Sequence, residues 1–562
     1  MAQVVVITGR TCNGKTQLAR RLGEEFGFSI LDTSEILKQQ AKARSVPQDR
    51  LSLQSLGDKL DGETNHKWVF DATERAIESG DIHFPIVIDN IRNAEQLAYF
   101  RQHSDWKLTH VHLYAPDDVL AERFQKRLQT RNQPEAAKNF KEADLIKQER
   151  DIESFKADAD VRIFTKRTDS EDTLVRVAAH LGLFAPPQIR SVDVLVGGQF
   201  GSEGKGHVAA YLAKEYQVLV RVGGPNAGHT VSGKKGVYTY HHLPSGCQDT
   251  SAEVLLGAGT TIYLPGLLKE IDDCGLDEAR LFIDPQAIII TEEDRKQEAK
   301  LKDGIASTGS GSGYASARRI TERLPNQTKL AKDMPELAAY VGSAPPYRGS
   351  TIYRLERAYR EGKSILLEGT QGSGLSIFHG VYPYVTSRDT NVAGCLAEAG
   401  ISPSRVRRVL MVVRPTPIRV QDPPGGTSGP LKHQTTFDIV AKEAGLNATD
   451  VSQAEKTSTT GRDRRVGWFD WELFRRSCAL NAPTDLILTF ADYLHVENQR
   501  ARRFEQLSPD TIKFIEELER VSQAPVSLIN IRFPRTEEER LDMRTIIDRR
   551  KWWVGNRALL DQ

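Results

Sequence analysis

The sequence predicts an α/β protein of two domains, the first a doubly wound parallel sheet, and three observations carry that prediction. Strand-like apolar runs alternate with helical stretches through the first 185 residues, the pattern of a parallel sheet with helices on both faces. A glycine-rich loop follows the first apolar run at Gly9–Thr16, and a second follows Val192–Val196. Between them, Gly182-Leu-Phe-Ala-Pro-Pro-Gln188 ends a helix with two prolines, which stop helices and stiffen connections, and divides the chain into residues 1–185 and 190–562. A chain of 562 residues is in any case too long for one core.

Composition excludes several classes of function. With 39% hydrophobic and 27% charged residues the chain is an ordinary globular protein. Its 76 basic residues balance 75 acidic ones, so neither nucleic acid nor membrane is expected as a partner, and anionic ligands must be met by local sites. Cys12, Cys247, Cys274, Cys395 and Cys478 are scattered, without the spacing of a zinc site or a disulfide framework. The strand-like Val4–Ile7 leaves no room for a signal peptide, and no apolar run reaches membrane-spanning length. A cytoplasmic location is therefore expected.

In the first domain, VVVITGRTCNGKTQLARRL gives a strand, the full GxxxxGK[ST] spacing from Gly9 to Thr16, and a helix. Gly9 and Gly14 permit the tight loop, Lys15 can reach β and γ phosphates, and Thr16 can hold Mg²⁺. Phe28–Leu37 reads as the second strand and an acceptor-side turn, Pro85–Arg92 as a buried strand ending in Asp89 and Arg92, Val111–Pro116 as another strand, and Asp158–Ile163 as the last. These segments resemble the small-kinase branch of P-loop proteins, the nucleoside monophosphate and dephospho-coenzyme A kinases. The resemblance puts Mg²⁺-water and acceptor-phosphate contacts on Asp89 and Arg92, and lid arginines on Arg123, Arg127 and Arg131. Those three, spaced four residues apart, fit an ordinary solvated helix face equally well. Ser34-Glu35 stands where adenylate kinases carry a glycine-acid pair, which leaves the acceptor open.

The second glycine loop, Gly201-Ser-Glu-Gly-Lys-Gly206, has Lys205 too close to Gly201 for the same spacing. Its glycines bring backbone N–H groups close to an anion and hand it to a helix N-terminus. Together with Gly198–Gly206, the segments Asn226-Ala-Gly-His-Thr230, Ser307-Thr-Gly309, Glu368-Gly-Thr-Gln-Gly372, Tyr382-Pro-Tyr-Val-Thr-Ser387 and Thr459-Thr-Gly-Arg-Asp-Arg-Arg465 resemble the adenylosuccinate synthetases, in the family's order and as far as about residue 540. The resemblance implies an adenylosuccinate-synthetase-like α/β domain. It also implies chemistry in which a purine O6 is first phosphorylated and the amine of L-aspartate then displaces the phosphate.

Carried over residue by residue, Gly201, Glu203, Gly204 and Gly206 belong to the nucleotide loop, with Asp492 at the donor base. Lys205 stabilises the transferring phosphoryl group. His229 serves as general acid towards O6 and phosphate. Gln371, Asn226, Thr308 and Thr386 position the monophosphate, and Thr460, Arg462 and Arg464 bind aspartate, arginine suiting its carboxylates through bidentate pairing. Mg²⁺ would be met by Ser202 and Gly228. The family completes its phosphate site with an arginine from a second subunit, Arg318 or Arg319 here, which implies a homodimer.

Two departures bear on the substrate. Ser202 stands where adenylosuccinate synthetases have an aspartate that serves as base for purine N1 and as Mg²⁺ ligand, and a serine has no useful pKa for the first role. Serine here resembles the phage branch that makes 2-aminoadenylosuccinate from dGMP, since it leaves room for a guanine 2-amino group. In Leu488-Thr-Phe-Ala-Asp492, Phe490 replaces the lysine of the family's guanine-reading strand end, which favours ATP over GTP as donor. Asp463 interrupts the arginine run, and the segment from Gly313 to Leu366 is as short as in phage and archaeal forms. The expected function is a ligase joining L-aspartate to (d)GMP, fused to a nucleotide kinase. Adenylosuccinate synthesis from IMP and GTP, and a nucleotide-sensing protein, are the competing readings.

Overall fold

Val4, Val5, Val6 and Ile7 are shut off from solvent because they form the middle strand of a sheet covered on both faces. The structure, a computed structural model, describes residues 2–91, 93–130, 140, 155–233, 236–342, 348–455, 463–532 and 545–550. The chain divides into two units, Met1–Phe184 and Ala185–Gln562.

The first unit is a five-stranded sheet of β1 (Ala2–Thr8), β2 (Ser29–Asp32), β3 (Ile86–Asp89), β4 (Trp106–Tyr114) and β5 (Val161–Phe164), in the order β2-β3-β1-β4-β5 with every pairing parallel. Asp32 ends β2 and caps the next helix by accepting from Ser34 N at 2.8 Å, so a strand end and a helix start share one residue.

The second unit is built on nine strands in the order 281–283, 253–256, 218–221, 365–368, 192–197, 406–413, 485–488, 526–530 and 546–548. All pairings are parallel except the last. The strand Val192–Gly197 sends Val192, Val194 and Val196 into the core on one face and Leu195 into the core on the other. Burial of each such side chain contributes roughly 1.5–3 kcal/mol. Asp193, on the same buried strand, is kept there by a bidentate pair with Arg407 (2.9 and 2.7 Å) and by the Tyr216 hydroxyl at 2.6 Å. In parallel sheets of this kind ligands bind beyond the carboxyl ends of the strands, and there the chain places Gly197, Arg221, Glu368, Arg414 and Thr489. Among the described residues no helix is long and apolar enough to cross a membrane.

Candidate functional site

Both phosphate loops end in the same device. Gly14 (φ 91°) and Gly204 (φ 77°) take the left-handed conformation immediately before Lys15 and Lys205, which begin helices. A side chain is strained at that φ, and the turn points backbone N–H groups at the helix N-terminus.

In the first unit Lys15 Nζ donates to Gly9 O at 2.5 Å and Arg10 O at 3.1 Å, folded back on the loop. Thr16 Oγ1 donates to Asp89 Oδ2 at 2.6 Å, uniting the loop with the end of β3. A hydroxyl and a carboxylate so placed suit Mg²⁺, which takes one or two protein oxygens and keeps water and phosphate as its other ligands. Beside the loop lies a cavity of about 240 Å³ lined by Asn13, Gly14, Gln17, Arg123, Thr165 and Asp169 among others. Arg123 lies against this cavity, donating to Thr165 Oγ1 (2.8 Å) and O (2.6 Å). Arg92 and Arg131 lie outside the described residues.

In the second unit Glu203 organises the loop from within. Its Oε1 accepts from Gln199 N and Gly201 N, both at 2.9 Å, and its Oε2 accepts from Lys205 Nζ at 2.7 Å. Both oxygens are thus engaged inside the loop, and Lys205 also donates to Gly201 O at 3.3 Å. Gly197 and Gly201 lie so close to Gln371 that a Cβ on either would come within 2.6 Å of Gln371 O and 2.9 Å of Gln371 Cα, respectively. Gly206 faces the strand that starts at His229, where an added Cβ would meet His229 Cβ at 2.6 Å. The loop, His229 and Gln371 are therefore one packed assembly.

His229 is buried, with Nδ1 2.5 Å from Glu368 Oε1 and 3.2 Å from Arg221 Nη1. A carboxylate only accepts, so the Nδ1 proton is assigned to the bond with Glu368. Ser245 donates to the same carboxylate through N and Oγ, each at 2.7 Å. Burial and the neighbouring Arg221 hold the His229 pKa down to about 4 against the pull of Glu368. Burial would raise the Glu368 pKa, but Arg221 and His229 outweigh it and hold it to about 2.

Gln371 adopts φ 58° at the end of the Ile365–Glu368 segment. Its Oε1 accepts from Thr370 Oγ1 at 2.9 Å and Arg388 Nη1 at 3.4 Å, which leaves Nε2 buried without a partner among the described residues. Asn226 donates through Nδ2 to Thr386 Oγ1 at 3.3 Å, while its Oδ1 is buried and unpaired. A buried donor and a buried acceptor left open are what a ligand would satisfy. Thr308 is half-buried just before Gly309, at φ 66°.

Ser202 is half-buried. Its carbonyl accepts from Arg414 Nη1 at 3.2 Å, and its hydroxyl makes no hydrogen bond among the described residues. Arg414 lies with its guanidinium 4.1 Å from the Phe490 ring centroid, and Phe490, at φ 52°, packs against Gly204. Phe490 is thus buried between loop and arginine. Asp492 is 5% exposed, its Oδ2 accepting from Gln499 Nε2 at 3.1 Å.

The proposed phosphate-site arginines are occupied within the chain. Arg318 pairs with Asp294 at 3.1 and 2.8 Å, and Arg319 donates to the carbonyls of Ala258 and Gln286. Arg464 Nη1 donates to Glu455 Oε2 at 2.9 Å. Thr460 and Arg462 lie outside the described residues. For Mg²⁺ in this unit the Ser202 hydroxyl and half-buried Gly228 offer a thin donor set, which fits an ion held mainly by ligand phosphates.

Sequence reading passed over Arg221, Arg414 and the role of Glu368. Each is a charged residue at the end of an apolar strand (Val218–Arg221, Val406–Val413, Ile365–Glu368), the signal that singled out Asp89.

Comparison with known proteins matches residues 194–332 and 315–499 to the family described as "Adenylosuccinate synthetase", and residues 5–147 to "AAA domain". The adenylosuccinate synthetase of Methanocaldococcus jannaschii is 36% identical over 347 residues, 60% of this chain and 93% of that protein. That of Thermococcus onnurineus is 37% identical over 348 residues, 60% of this chain and 94% of that protein. Among solved structures, the succinoaminodeoxyadenylate synthetase of cyanophage S-2L, bound to dGMP and to dATP as energy donor, has 27% identity and a TM-score of 0.50 over 64% of this chain and 95% of its own. The fully ligated adenylosuccinate synthetase of Plasmodium falciparum shares the fold at 21% identity and a TM-score of 0.53, over 64% of this chain and 99% of its own.

Proposed function

The chain belongs to the adenylosuccinate synthetase family, and as a carbon–nitrogen ligase of that type carrying a P-loop kinase-like domain we propose that it joins L-aspartate to C6 of a guanine monophosphate, GMP or dGMP, with ATP as phosphoryl donor. The observation that carries the guanine reading is Ser202, half-buried in the nucleotide loop with a hydroxyl unengaged among the described residues. Where the family has a carboxylate, this hydroxyl leaves space for a 2-amino group and can accept its hydrogen bond. The cyanophage structure, with dGMP and dATP bound, supports the same reading.

In the mechanism that follows, Lys205 leaves its intraloop partners for the transferring phosphoryl group and offsets its charge. Gln371 Nε2, left open while Oε1 is held by Thr370 and Arg388, donates to the purine O6. His229 is neutral at rest, and the charge of the incoming phosphoryl group raises its pKa so that its second nitrogen donates as the phosphate leaves. Ser202 and Gly228 would help hold Mg²⁺ with the phosphates, where it would offset their negative charge. Arg464 receives a carboxylate of aspartate.

The first unit acts as a nucleoside monophosphate kinase. Support comes from Thr16 and Asp89, set 2.6 Å apart at the end of the lysine-bearing loop, and from the cavity beside it.

Adenylosuccinate synthesis from IMP and GTP is the second reading, favoured by 36% identity to archaeal adenylosuccinate synthetases and by the retained Asp492. The deciding experiment is mass spectrometry of products from IMP, GMP and dGMP, each with aspartate and either ATP or GTP. Conversion of GMP or dGMP with ATP supports the proposal. Conversion of IMP alone overturns it.

A further inference from the structure

The Glu455 carboxylate joins two arginines with different duties. Its Oε1 accepts from Arg414 Nη2 at 2.5 Å and its Oε2 from Arg464 Nη1 at 2.9 Å. It is buried, 2% exposed. Arg414 reaches in the other direction to the carbonyl of Ser202 in the nucleotide loop and lies over Phe490 at the donor-base end.

An isolated buried carboxylate would take up a proton, but Arg414 and Arg464 hold this one ionised, with its pKa down to about 2. Two guanidiniums sharing one carboxylate leave one net positive charge. That surplus is uncompensated within the cluster, and Arg464 is the member at the edge of the strand Arg464–Gly467.

Arg464 also has an open side. Glu455 takes Nη1, while Nε is buried and has no partner among the described residues. A guanidinium held by one amino group presents the Nε edge as a fork for a second carboxylate. The bond to Glu455 thus holds Arg464 through Nη1 and leaves the Nε edge for a second acceptor.

We propose that Glu455 is a positioning residue for the amino-acid substrate, orienting Arg464 so that its Nε edge receives a carboxylate of aspartate and tying that edge through Arg414 to the loop of Ser202. The inference rests on the aspartate ligase reading above. Glu455 touches no reacting atom and acts through Arg464.

The test is steady-state kinetics of the full chain with aspartate varied, using the wild type, Glu455→Gln, Glu455→Asp, Arg464→Gln and the Glu455→Gln/Arg464→Gln pair. Glu455→Gln should raise the aspartate KM about tenfold while kcat and the KM for the purine monophosphate stay within about twofold. Glu455→Asp, which keeps the charge but withdraws it by one methylene, should give an intermediate aspartate KM. In the pair, Glu455→Gln should add nothing to the effect of Arg464→Gln, because its action passes through that side chain. An unchanged aspartate KM in Glu455→Gln overturns the inference. So does an equal rise in all substrate KM values that adds to the effect of Arg464→Gln, the signature of a merely structural acid. If Glu455→Gln does not fold, Glu455→Asp decides alone: a selective rise in aspartate KM supports the role, and wild-type values refute it. A wild-type chain with no aspartate-dependent turnover of any purine monophosphate sinks the ligase reading and the inference with it.

Discussion

Nδ1 of His229 stands 2.5 Å from Oε1 of Glu368, both side chains closed to solvent, although 139 positions separate them in the chain. Glu368 sets the tautomer of the ring and supplies the negative charge that makes a protonated His229 reachable. Glu368→Gln should lower kcat about a hundredfold with little change in the aspartate KM, because it removes an interaction that strengthens only as His229 gains its second proton. Stopped-assay kinetics across a pH series reads the change directly. An unaltered kcat would assign Glu368 to packing alone.

Four buried histidines give the stability a definite sign with pH. Burial holds His110 and His112 in the first unit, and His207 and His229 in the second, each at about pKa 4. In the unfolded chain they titrate near 6.5, so between those values the unfolded state binds more protons and stability falls as pH falls. From above pH 7 down to pH 5 each histidine should remove about 2 kcal/mol. Urea midpoints for both units should drop over this range, and His207→Asn, if folded, should flatten the slope of the second.

Ser202→Asp puts into the nucleotide loop the carboxylate that the family resemblance leads one to expect there. The ratio of kcat/KM for IMP to that for dGMP should rise by at least about tenfold, since a carboxylate both occupies the space of a 2-amino group and provides a base. Competition between the two nucleotides, read by mass spectrometry, measures the ratio. No change would detach residue 202 from purine choice.

Gly206→Ala should damage catalysis without touching a charged group. Its Cβ would lie 2.6 Å from His229 Cβ, so either the helix Lys205–Leu212 or the histidine must shift. The expected cost is about 1–3 kcal/mol of stability, from overpacking. The kcat loss should exceed what the fraction folded explains. Calorimetry together with kinetics separates the two.

Lys15→Ala should abolish phosphorylation of a nucleoside monophosphate by the first unit and leave aspartate ligation by the second intact. Lys205→Ala should do the reverse. Product analysis of the two variants checks both, and loss of both activities in either one would contradict the assignment of one reaction to each unit.

Much of this organisation is legible in the sequence, for reasons that are local. The loop glycines, Lys15, Thr16, Lys205 and the strands before them form motifs within one strand–loop–helix stretch, and the structure forms those elements there. What the sequence conceals is pairing across the sheet. Glu455 meets Arg414 from 41 residues away, and Glu368 meets His229 from 139, distances that no periodicity encodes. The same limit applies to Arg464, whose motif points to an incoming carboxylate while the fold already supplies one from Glu455. Phe490 reads as a replacement at a base-binding strand end, yet its ring is buried against Arg414 and Gly204, partners that only the sheet order brings near.

The close approach of Gln371 to Gly197 and Gly201 restricts how such a protein can change over generations. The backbone at Gln371 and the backbone at Gly197 and Gly201 form one wall, with no room for a methyl group on either glycine. A substitution that moves the main chain on one side of this wall displaces the other side as well. Changes confined to side-chain tips leave this wall intact, and a hydroxyl rather than a carboxylate at residue 202 is a difference of that kind.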